Sequence, residues 1–178
     1  MLKKKSISYI KKINVFINVD MKQEDKEVLI KDLSARLPYG VKVSLHDEEN
    51  GDLTGVLYAV YPTEERVIVD DLSKAIAHQN VRCGGFKFEE NNVKPYLRPM
   101  SSMTEEEGKE LEQIFCEIDA PCWVDTEYGC VNFSGGNDFI DTEIAEVYTD
   151  WLNKKMFDWR KLIEKGLALE APKGMYNT

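Results

Sequence analysis

Between Val41 and Leu97 the hydrophobic pattern runs at a period of two in short stretches, each stopped by turn-forming residues. This punctuation constrains the fold more than any other feature of the chain. Val41, Val43 and Leu45 alternate with Lys42 and Ser44, as in a half-buried strand. Asp47, Glu48, Glu49, Asn50, Gly51 and Asp52 supply turn chemistry before a second run at Gly55 to Tyr61. Pro62 to Glu65 breaks that run, and Arg66 to Asp70, Phe86 to Glu89 and Val93 to Leu97 read as three more. Short strands at this spacing, framed by helices, predict an α+β fold: a small antiparallel sheet or SH3-like barrel buttressed by three to four helices.

The framing segments carry helical periods. Val28, Leu29, Leu33 and Leu37 recur on one face of a helix over Lys22 to Leu37, which Pro38 ends. Ser102 stands three residues before Glu105, and Thr104 three before Glu107, so either pair can form a capping box for a helix from Thr104 to Cys116. Pro121 to Asp125 and Gly129 to Phe133 suggest a hairpin around Thr126, Glu127 and Tyr128. Ile144, Val147, Tyr148, Trp151 and Leu152 hold the clearest helical stripe, expected to pack on the sheet. A short helical piece is predicted over Trp159 to Glu164 with Gly166 as its left-handed cap, then an extended tail from Leu167 to Tyr176. Between the strands, Lys74 to His78 reads as one helical turn and Cys83 to Gly85 as a tight return.

Residues 1–20 differ in character, with five lysines and one aspartate. They read either as an upstream extension or as an edge strand built on Ile13, Val15, Ile17 and Val19. Residues 21–178 read as a single α+β domain, β-rich from 38 to 100 and followed by helix and hairpin from 101. Lysines and asparagines interrupt every apolar stretch near the start, so no secretory leader is read, and no stretch reaches membrane-spanning length. The expected location is cytoplasmic.

The 23 basic and 32 acidic residues leave a net charge of −9, which argues against direct contact with nucleic acid or an anionic membrane. Cys83, Cys116, Cys122 and Cys130 are read as reduced, buried thiols, because a chain with an adequate core needs no disulfide framework. With His46 and His78 outside any paired-ligand motif, no metal site and no cofactor are expected. The acids from Asp47 to Asp52 lack the ligand spacing of a calcium loop. Neither Gly84-Gly85 nor Gly135-Gly136 sits in a phosphate-binding pattern, and no nucleophile motif is present, so no catalytic residue is assigned.

Aromatic residues beside arginine are the usual composition of a protein-contact hot spot. Tyr96 with Arg98, and Trp159 with Arg160, are therefore the candidate binding residues, while Trp151 belongs to the apolar stripe and the core.

Three blocks carry a family resemblance: Leu37-Pro-Tyr-Gly-Val-Lys-Val43, Lys94-Pro-Tyr-Leu-Arg-Pro-Met-Ser-Ser-Met-Thr-Glu-Glu-Glu107 and Phe157-Asp-Trp-Arg-Lys-Leu-Ile-Glu-Lys-Gly-Leu-Ala-Leu-Glu-Ala-Pro172. In these the chain resembles a family of small uncharacterised proteins of gut anaerobic bacteria, their phages and mobile elements. Members of that family often begin near the position of Met21. The resemblance implies an accessory protein of a phage or integrated element and transfers no catalytic residue.

The expected function is thus a non-enzymatic module that binds another protein. Two alternatives stand beside it: an acidic inhibitor of a host defence or nucleic-acid enzyme, and a small hydrolase or metal-dependent enzyme.

Overall fold

The computed structural model describes residues 21–73, 83–134 and 142–176. The edge-strand reading of 13–19 and the helical turn at 74–78 lie outside them.

Helix α1 (Gln23–Arg36) starts with Glu24 and Asp25 in its first turn, where acids oppose the positive end of the helix dipole. It runs directly into a 3-10 turn, Leu37–Tyr39, closed by Gly40 at φ 67°. The following strands form β1 (Lys42–Asp47), β2 (Gly51–Tyr61), β3 (Arg66–Asp70), β4 (Gly84–Lys87) and β5 (Lys94–Leu97). A two-residue strand, β8 (Leu169–Glu170), comes from the far end of the chain. The sheet order is β4-β3-β2-β1-β5-β8.

Long β2 organises this sheet. Its first half pairs with β1 and its second half with β3, with a register shift between Leu57 and Ala59. Gly55 sits at the crossing, where a Cβ would lie 2.5 Å from Val69 Cγ1 and 2.6 Å from Asp70 O. Only glycine lets the strands approach so closely there. The loop after β4 then reaches β1, with His46 N donating to Asn91 O and Asn91 Nδ2 to His46 O.

Among the described residues the fold is α+β as expected, with an open sheet in place of the closed-barrel form. The sheet is also mixed rather than antiparallel, because β8 pairs with β5 in parallel. That pairing joins residues more than seventy positions apart, too short a segment to leave a periodic signature. Gly84 and Gly85 pair with Val69 and Ile68 inside β4 instead of forming a tight return.

Leu29 and Leu33 of α1 pack on the inward residues Val43, Leu45, Leu53, Leu57, Val67, Val69 and Phe86, all buried. Each such side chain removed from water contributes about 1.5–3 kcal/mol.

A second cluster lies beside the sheet. Helix α2 (Glu105–Glu117) opens on the Thr104 capping box: Glu107 N donates to Thr104 Oγ1 at 3.2 Å, and Thr104 N to Glu107 Oε2 at 3.0 Å. The hairpin β6 (Cys122–Asp125) and β7 (Cys130–Phe133) packs on it. The stripe of helix α3 (Thr142–Lys154) buries against this cluster and not against the large sheet: Phe115 meets Phe133 at 5.0 Å and Tyr148 at 6.0 Å.

After α3 the chain crosses back to the sheet. The segment Trp159 to Glu164 folds as successive turns, not as the expected helix. The Asp158 carboxylate takes the N–H groups of Leu162 and Ile163, and Lys161 at φ 58° breaks the helical path. Gly166 does adopt the left-handed conformation, at φ 71°.

Candidate functional site

The four residues that composition singles out lie where the two clusters meet. Arg98, at the end of β5, forms a two-pronged ion pair with Glu107 of α2, at 2.6 and 2.8 Å. It also donates to Ser102 O and lies 4.4 Å above the Phe157 ring. Arg160 donates to Asp32 Oδ1 at 2.7 Å and stacks 3.8 Å over Trp159, whose Nε1 donates to Asn153 Oδ1. Tyr96 is half-buried, and its carbonyl accepts from Tyr176 Oη. The side chains of Arg98, Trp159 and Arg160 thus spend their polar groups on holding the chain's own segments together.

Beside them lies a cleft of about 690 Å³, lined by Arg98, Pro99, Ser102, Glu170, Pro172 and Tyr176 among others. Burial pushes the Tyr176 phenol up to about 12, so it stays protonated while Lys42 N donates to its Oη. The cleft lining thus combines this neutral phenol with the charged groups of Arg98, Glu170 and Lys173.

The exposed aromatics are elsewhere: Tyr58 and Tyr61 on β2, where Arg66 lies 4.8 Å over the Tyr61 ring, and Trp123 and Tyr128 on the β6–β7 hairpin. On the hairpin, Cys122, Val124, Val131 and Phe133 pack inward on α2, and Gly108 of α2 admits Val124 and Thr126 closely. Strand alternation then turns Trp123 and Asp125, with their partners Asn132 and Cys130, to the outer face. Trp123 is 55% exposed and Tyr128, in the turn, 68%. The turn itself is fixed, because Asp125 Oδ1 accepts from Glu127 N and Tyr128 N.

Hairpin and cleft adjoin. Gly129, at φ 62°, lies so close to Met100 that a Cβ would fall 2.6–2.7 Å from it. Met100 in turn belongs to the 3-10 turn (Met100–Ser102) whose Ser102 lines the cleft. Sequence reading missed this surface, although a signal was present: Asp125, two residues after Trp123, marks the outward face of the strand.

Three of the four cysteines are exposed and only Cys122 is half-buried, which corrects the reading of them as buried small hydrophobes. Cys116 and Cys130 occupy the outer sides of α2 and the hairpin. All four are free thiols, and burial with the nearby Glu112 carboxylate pushes the Cys122 thiol up to about 11. Among the described residues no group of three or more His, Cys, Asp or Glu is placed to hold a metal ion. No helix among them is long and apolar enough to cross a membrane.

No family model, no curated protein and no solved structure matches this chain.

Proposed function

We propose that this protein is a non-enzymatic binding module that contacts another protein through the outer face of the β6–β7 hairpin. One observation carries the reading: Trp123 on β6 and Tyr128 in the turn that Asp125 braces are 55% and 68% exposed on one hairpin, while Trp151 is buried in the core. Large amphipathic rings held on a fixed backbone supply contact area at little conformational cost, which is why they anchor protein interfaces. The resemblance to small proteins of phages and mobile elements of gut anaerobes agrees with an accessory role of this kind. The original candidates Tyr96, Arg98, Trp159 and Arg160 then serve as the frame that orients the hairpin and the cleft beside it.

Affinity purification of the tagged full chain from its source cells tests this reading, run in parallel with a Trp123→Ala, Tyr128→Ala variant. A stoichiometric protein retained by the native chain and lost from the variant, at equal melting temperature, is the expected result. Equal recovery by both would remove the hairpin from the role.

A further inference from the structure

The charge around the hairpin points to the chemistry of its partner. Residues 105–134, which comprise α2 and the hairpin, hold nine acids and one lysine, a net of 1 − 9 = −8 out of the chain's −9. Two of those acids are matched from outside the segment, Glu107 by Arg98 and Glu110 by Lys155. Seven acids against Lys109 remain, a net of −6.

Two of these acids, Asp125 and Glu127, stand on the hairpin itself, beside its exposed aromatic residues. Trp123 projects from β6 next to Asp125, and Tyr128 follows the exposed Glu127 in the turn. An aromatic face attracts a cation through its ring quadrupole, and carboxylates at its border pair with the same group. Guanidinium suits both contacts at once, since its flat face stacks on indole while its edge donates to carboxylate. A polyanion is repelled by the same field, and so is a second copy of this face.

Resting on the reading that the hairpin is a protein-binding surface, we infer that its partner presents a basic, arginine-rich segment to Trp123 and Tyr128. The acids steer that segment to the face, and the two rings hold it.

The test titrates the full chain by calorimetry with a short arginine-rich peptide and with its glutamine counterpart. The arginine peptide is expected to bind, the glutamine peptide not to. Trp123→Ala should weaken binding roughly tenfold, the scale of one cation–π contact. Glu127→Lys should weaken it as well, and so should raising the salt from about 0.05 M to about 0.5 M. Both variants keep the inward face of the hairpin, so their melting curves should match the native one.

Absence of arginine-peptide binding, equal binding of the two peptides, or binding unchanged by Trp123→Ala would overturn the inference. So would self-association of the chain through the hairpin in sedimentation. A partner captured through the hairpin in the affinity purification but held with a flat salt response would leave the protein-binding reading standing and refute the basic partner alone.

Discussion

Arg160 Nη1 lies 2.7 Å from Asp32 Oδ1, although 128 residues separate the two. The same carboxylate holds Arg36, one helical turn on, through contacts of 2.8 and 3.1 Å, and both Asp32 and Arg36 are fully buried. Arg36 also donates to Phe157 O at 2.8 Å. One acid thus fastens α1 to the segment that returns from the second cluster to the sheet. Removing it strands a buried guanidinium, so Asp32→Ala should cost about 3–5 kcal/mol in urea unfolding. Arg160→Ala leaves the inner pair intact and should cost only about 1 kcal/mol. Similar losses for the two would show that Asp32 is not the hub.

Acid sensitivity should trace to Glu107. Its burial acts to raise the carboxyl, but the Arg98 guanidinium and the Thr104 N–H prevail and hold it below the ordinary 4.5. A lowered native value means that the stabilisation is complete above the unfolded value and is lost as pH falls through the native one. The stability gap between the native chain and Glu107→Gln should therefore shrink between about pH 5 and about pH 3. A gap that stays constant over that range would contradict the ion pair's role.

Gly129 offers a sharp steric test. Gly129→Ala forces a side chain into Met100 as well as into a positive φ, and should cost about 2 kcal/mol or more. Gly166→Ala shares the positive φ but has open space around its Cβ position, so it should cost only about 1 kcal/mol. Equal costs in thermal unfolding would mean that the hairpin does not bear on Met100.

The thiols should separate by exposure. At about pH 8, Cys83, Cys116 and Cys130 should react promptly with a thiol reagent. Cys122, held protonated by its raised value of about 11, should react only after denaturation. Four prompt thiols would refute its packing against α2.

The strands were legible wherever one face is buried, because alternation is then enforced by the core: Val43 and Leu45, or Val67 and Val69, can only point inward. The Thr104 capping box was legible for a local reason, since both partners lie within one turn. The buried ion network was not read, yet Leu29, Asp32, Leu33 and Arg36 occupy one helical stripe, and two charges on an apolar stripe three or four residues apart are its signature. Nothing local announces β8, which depends on where a distant segment returns. The aromatic-plus-arginine rule found residues that do stack, as Arg160 does on Trp159. Composition alone does not distinguish a stack made within the chain from one offered to a partner.

Photo-crosslinking decides between those two surfaces most directly. A benzophenone side chain placed in the source cells at position 123, and separately at position 159, reports which face lies against another protein. A discrete crosslinked species from position 123, with none from 159, is the predicted result. Crosslinking from position 159 alone would contradict the account and return the contact surface to Trp159 and Arg160.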